Sequence, residues 1–145
     1  MEKEEVGRYL QMLSRQIKRR MDKSVSDYEI TGKQGAIILY VHEESQKRDV
    51  YAKDIEVEFD MRRASVTGII KLMEKNGLIE REENIKDARL KKLKLTERAI
   101  EAREKLKKEI VKVENKLTEG ISKEEIKTFF EIMKKMSFNL SSKEN

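Results

Sequence analysis

Few side chains in this sequence are equipped to make or break bonds. It contains no cysteine and one histidine, His42. A disulfide and a thiol switch are excluded, and a lone histidine is a poor basis for a His/Cys zinc site. No acid, base and nucleophile cluster around His42, and Glu82-Glu83 reads as the solvated surface of a hairpin wing rather than a catalytic pair. No enzyme activity, cofactor or metal is expected. What the chain does concentrate is positive charge. Met61 to Thr96 holds ten Lys/Arg and five Asp/Glu, a net +5 that equals the formal charge of all 145 residues. The available chemistry is therefore non-covalent and directed at anions.

Within that stretch the residue types suit duplex DNA. Arg62, Arg63 and Lys71 can reach bases or phosphates, with phosphate favoured for Lys71. Ser65 and Thr67 can donate to or accept from base edges. Gly68 either lets a helix backbone approach closely or is tolerated for packing. Arg89 offers a planar fork suited to a narrow, negative minor groove, and Asp87, two residues earlier, can hold that fork by a charge-assisted bond. Lys91, and more weakly Lys92 and Arg81, are phosphate candidates.

These residues need a helix and a hairpin to present them. Val66, Ile69, Ile70 and Met73 recur at helical spacing with Leu72 beside them, so residues 62–75 read as a helix whose polar face carries the candidates. Asn76-Gly77 stops it. Leu78–Arg81 and Lys91–Leu95 read as two strands joined by a charged tip from Glu83 to Arg89, with the wing spanning 82–91. A short acidic helix at 51–59 (Ala52, Ile55 and Phe59 inward) precedes them, with Asp60 in the turn. Helix, turn, helix and hairpin make a winged helix-turn-helix, with residues 62–75 in a major groove and the wing at the minor groove. A small helix–hairpin domain with a solvated basic face is the blander reading.

The remaining helices form two groups at the chain ends. Val6, Tyr9, Leu10, Leu13, Ile17 and Met21 make an apolar stripe on a helix at 3–22, followed by a polar connector from Asp22 to Asp27. Thr31 and Gln34 form a capping box before a buried helix with Ile37, Ile38, Tyr40 and Val41, and Glu43–Asp49 reads as a loop. Ala99, Ile100, Ala102, Arg103, Leu106, Ile110, Val113 and Leu117 trace one face of a helix at 97–119. Ser122 and Glu125 cap a last helix at 122–138 bearing Ile126, Phe129, Phe130, Met133 and Met136, beyond which Phe138 and Leu140 can continue the packing. Residues 141–145 have no reason to be ordered. A chain that is 37% hydrophobic and 42% charged, with its stripes near both ends, points to a second core shared with another copy. The fold class is mostly α with a small β-hairpin wing. Its divisions are 1–30 and 97–145 for dimerisation and 31–96 for the DNA-binding lobe. The amino terminus MEKEEVGRYL has no signal-peptide apolar run, and no stretch nears the roughly 18 apolar residues that span a membrane. A cytoplasmic protein with no membrane partner is expected.

The wing motif Asp87-Ala-Arg89, followed by Leu93-Lys-Leu-Thr96, resembles that of the MarR family of transcription regulators. Lys75-Asn-Gly-Leu-Ile-Glu-Arg81 is similar to that family's exit from its recognition helix, and Ser65-Val-Thr67 to the segment entering it. The six-helix order carries the resemblance over nearly the whole chain. Departures are Asp60 and Ala99 where the family often has Gly, Arg62 near a usual capping Asp or Ser, and Glu56 for a small residue. The resemblance implies a homodimer on a pseudo-palindromic double-stranded site, with Arg89 at the minor groove and Asp87 orienting it. It further implies a ligand-responsive repressor, whose small anionic or aromatic effector would bind a cleft near Met12, Arg15, Arg19, Ile37 and Tyr40. The bland reading of those five is surface arginines and core residues. A low-specificity nucleoid-like protein and a protein-interaction winged helix remain alternatives.

Overall fold

The computed structural model describes residues 4–142. Its elements are α1 (Val6–Ser24), a 3-10 turn (Ser26–Tyr28), α2 (Gly32–Ser45), α3 (Ala52–Glu58), α4 (Arg63–Lys75), β1 (Ile79–Glu83), β2 (Lys91–Leu95), α5 (Glu97–Leu117) and α6 (Lys123–Ser141). Two compact units divide the chain, Met1–Ile110 and Val111–Asn145, and α5 runs through the boundary. Among the described residues no helix is long and apolar enough to cross a membrane.

In the first unit the core is built from α2, α3, α4, the hairpin and α5. Ile37, Ile38 and Val41 of α2, Ile55 of α3, Val66, Ile70 and Met73 of α4, Leu93 of β2 and Ala99, Ala102 and Leu106 of α5 are all buried. Val66, Ile70 and Met73 follow the helical period, which leaves Leu72 exposed on the flank. Gly35 lets α5 come close to α2, since a Cβ there would meet Leu106 at 3.2 Å. Thr31 and Gln34 form the expected capping box, and Gln34 is itself buried.

The turn between α3 and α4 sets the angle at which α4 is offered. Asp60 takes a left-handed backbone, φ 47°, and the Met61 N–H reaches back to the Glu56 carbonyl at 3.0 Å. That closes α3 with a Schellman-type bond despite the absence of glycine. At the far end of α4 it is Gly77, φ 70°, and not Asn76, that adopts the left-handed conformation. Thr96 then serves twice: its hydroxyl donates to the Gly77 carbonyl (2.6 Å) and accepts from the Ala99 N–H (3.2 Å), capping α5 while closing the base of the hairpin.

Several boundaries differ from those expected. Lys3, the first residue of the expected N-terminal helix, lies outside the described residues, as do 143–145 of the tail. The connector after Asp22 is shorter, because α1 continues to Ser24 and Val25 turns fully into the core. Glu43–Ser45 belong to α2, not to a loop. In the second unit, Ser122 and Glu125 cap α6 reciprocally, and Phe129 meets Phe130 edge-on. That helix runs on through Ser141, so Phe138 and Leu140 lie within it, 71% and 90% exposed, and do not pack within the chain. Neither α1 nor α6 contains a buried residue.

Candidate nucleic-acid interface

All the α4 candidates face solvent. Arg62, Arg63, Ser65, Thr67, Gly68 and Lys71 are exposed, opposite the buried Val66–Ile70–Met73 seam. A Cβ at Gly68 would meet nothing within 4 Å, so no packing inside the chain demands glycine there. Arg62 occupies the N-cap of α4 without a side-chain cap bond.

The wing is a two-stranded antiparallel ribbon in which Glu80 faces Lys94, Glu82 faces Lys92 and Glu83 faces Lys91. These opposed charges favour the register. Lys94 pairs with Glu82 at 3.3 Å, while Lys92 reaches Asp49 at 3.2 Å. The Leu93 N–H also donates to the Val50 carbonyl at 2.8 Å, so the segment before α3 fastens the base of the wing. Arg81 is held by Glu74 of α4 at 2.5 Å. Arg81 and Lys92, considered as weaker phosphate contacts, are thus engaged within the chain. Among the described residues Arg62, Arg63, Lys71 and Lys91 make no ion pair.

At the tip, Arg89 and Asp87 are joined as the sequence suggested. Arg89 donates from Nε to Asp87 Oδ1 (3.2 Å), from its terminal nitrogen to Oδ2 (3.3 Å) and from its backbone N–H to Oδ1 (3.0 Å). The side-chain bonds and then the backbone bond hold the Asp87 carboxyl below the ordinary carboxylate range. The Arg89 side chain remains 90% exposed. The loop beneath it is pinned by Asn84, whose side-chain oxygen accepts from the N–H groups of Lys86 (2.8 Å) and Asp87 (3.2 Å). Asn84 Nδ2 donates to the Tyr51 hydroxyl at 2.7 Å, tying the tip to the start of α3. Sequence reasoning passed over both residues: an asparagine in a polar tip signals a turn, but nothing local announces its partner 33 positions away.

Between α4 and the wing lies a cleft of about 480 Å³. Arg63 and Thr67 line it from α4, Arg89 and Lys91 from the wing, and Lys53 from α3. Lys53 was missed because α3 reads as acidic overall. It leans toward Glu56 at 3.8 Å, which also lines the cleft. The geometry therefore gathers four of the nine expected DNA residues, Arg63, Thr67, Arg89 and Lys91, around one basic concavity, with Asp87 behind Arg89, and leaves Arg62, Ser65, Gly68 and Lys71 on the open face of α4.

The expected effector residues are not gathered in this way. Ile37 is completely buried and belongs to the core, so it offers no surface to a ligand. Tyr40 packs edge-on against Phe59, and its hydroxyl accepts from Arg48, which also binds Asp54 and Glu44 and so staples α2 to α3. Met12 and Arg15 are exposed on α1. Arg19 alone of the five lines a second cavity, about 590 Å³, together with Arg20, Lys23, Ser24 and Glu109.

Comparison with known proteins gives a consistent picture. A sequence profile of the MarR family matches residues 28–90. The transcription regulator MarR from Oenococcus oeni PSU-1 is 31% identical, with a TM-score of 0.71 over 91% of this chain and 98% of that one. MepR of Staphylococcus aureus, solved in complex with DNA, shares the fold at 23% identity and a TM-score of 0.82 over 94% of this chain and 97% of its own. The heme sensor PefR from Streptococcus agalactiae, solved with heme, shares it at 24% identity and 0.69, over 97% of each chain.

Proposed function

The chain belongs to the MarR family of transcription regulators, and from that premise we propose that it is a sequence-specific, double-stranded DNA-binding repressor. One observation carries the reading: Arg63 and Thr67 of α4 face Lys91 and the Asp87-held Arg89 of the wing across one basic cleft. In the complex, α4 enters a major groove. Ser65, Thr67 and Gly68 approach base edges, Arg62, Arg63 and Lys71 hold bases or phosphates, and Arg89 enters the adjacent minor groove with Lys91 on the backbone.

The binding unit is a homodimer. Val6, Tyr9 and Leu13 on α1 and Phe129, Phe130 and Ile132 on α6 are 38–57% exposed, and apolar stripes of that length call for a cover. A second copy supplies it, with residues 1–30 and 97–145 as the dimerisation region and 31–96 as the DNA-binding lobe. Two lobes then suit a pseudo-palindromic site. Regulation is by a small anionic or aromatic compound. The cavity at Arg19, Arg20 and Lys23 supports the anionic class.

Selection from random duplexes tests this. An inverted repeat should emerge, bound at least about a thousandfold more tightly than random DNA at one salt concentration. Equal affinity for both would mean a low-specificity DNA protein. No DNA binding beside firm protein binding would mean an interaction module. For regulation, an aromatic carboxylate should lower operator affinity in the parent but not in Arg19→Ala/Arg20→Ala.

A further inference from the structure

Ile85 is 104% exposed at the tip of the wing, the most exposed large apolar side chain among the described residues. It lies in a stretch where charged and polar residues would serve solubility equally well, and β-branched residues are poor choices for turns. Nothing in the chain packs on it, yet it is not a loose end. Asn84 before it is held by Tyr51 and by the Leu90 carbonyl, and Lys86 and Asp87 after it are held by Asn84. An apolar side chain is therefore offered outward on a fastened loop, four residues from the exposed guanidinium of Arg89 and beside Lys86.

We infer that Ile85 is an apolar minor-groove contact of the wing, packing against deoxyribose and the groove floor next to the Arg89 guanidinium. The inference rests on the proposed DNA-binding function. Charge complementarity selects the occupant: around the apolar tip Lys86, Arg89 and Lys91 outnumber Glu83 and Asp87, the latter paired to Arg89, and this matches a groove whose rims are phosphates and whose floor and sugar walls are largely apolar. The tip loop is already ordered, so docking it costs little conformational entropy. The contact also carries specificity. The guanine 2-amino group projects from the floor of a G·C step and is missing from A·T. A branched side chain pressed there disfavours G·C, so Ile85 sets a preference in the DNA outside the major-groove half-sites.

The test uses the full chain on its selected duplex, and on copies whose flanking positions are A·T, G·C or inosine·C, the last lacking the 2-amino group. Ile85→Ala, Ile85→Thr and Arg89→Ala are compared with the parent. Ile85→Ala and Ile85→Thr should weaken binding about fivefold per wing, as expected for half-burying one isoleucine side chain. The dependence on salt should not change, because no cation is removed. The parent should prefer A·T and inosine·C flanks over G·C, and both Ile85 variants should lose that preference. Parental affinity and flank preference in Ile85→Ala, with Arg89→Ala still weakened, would overturn the inference while leaving the DNA-binding reading standing. No effect of either substitution would overturn both. A change in the mass of the DNA-free protein on Ile85→Ala would show a contact between chains and also overturn the inference.

Discussion

Removing the Arg89 side chain isolates the wing's contribution, because the pair it forms with Asp87 is worth almost nothing to the free protein. Arg89 is 90% exposed, and exposed ion pairs contribute little to stability. Arg89→Ala should therefore leave the unfolding temperature, helicity and oligomeric mass at parental values. On the operator the proposed minor-groove contact predicts a large effect. One guanidinium leaves the minor groove, so affinity should fall about thirtyfold per wing and the slope of log affinity against log salt by about one per wing. Asp87→Ala separates orientation from charge. It makes the wing more positive, so a pure field effect predicts tighter binding. The three bonds from Arg89 to Asp87 predict the reverse: without them the fork must be ordered on binding, which should weaken affinity about threefold per wing. Fluorescence anisotropy of one labelled operator, at three salt concentrations, measures all of this. Parental affinity in Arg89→Ala would refute the wing assignment. Tighter binding in Asp87→Ala would reduce Asp87 to a surface acid.

Other outcomes follow from separate parts of the structure. Leu13→Glu or Phe129→Glu should weaken self-association at least about a hundredfold, since each places a charge on a face that the proposed partner copy would cover; sedimentation at micromolar concentration should read this as a shift from twice the 17.1 kDa chain mass toward a single chain. Tyr51→Phe deletes the hydroxyl that Asn84 holds, and should lower operator affinity about threefold with an unchanged salt slope, since a neutral hydrogen bond is lost; a changed slope would point to a charge effect instead. His42 has its pKa lowered by burial first and then by the charges of Arg103 and Lys107. The unfolded chain therefore binds the proton more readily, and thermal stability should decline as pH falls below about 6.5. His42→Gln should flatten that decline, and the imidazole signals of the only histidine report its titration directly.

What was legible in the sequence was what depends on neighbours a few positions apart. The Val66–Ile70–Met73 seam, the capping boxes at Thr31 and Ser122, the turn at Asp60 and the Asp87–Arg89 pair are all local, and the structure holds each of them. Contacts distant in sequence were not legible. Asp49 read as the end of a charged loop, yet it holds Lys92 of the wing, and the neighbouring Val50 carbonyl holds Leu93. Arg81 read as a weak phosphate contact, but Glu74 pairs with it across the turn at Gly77 that joins α4 to β1. Val25 was hidden among polar residues because a single apolar side chain has no period. Ile37 was assigned to a cleft because helical spacing identifies a buried face without saying whether a cavity or a neighbouring helix covers it.

The central claim is that two copies of this chain read DNA through α4 and the wing. Hydroxyl-radical footprinting of the selected duplex, with the mass of the complex measured in parallel, tests it most directly. Two chains should be bound per duplex. Protection should be two-fold symmetric, with major-groove faces about 10 base pairs apart and flanking minor-groove protection that disappears with Arg89→Ala. A single bound chain, or uniform protection without symmetry, would contradict the account.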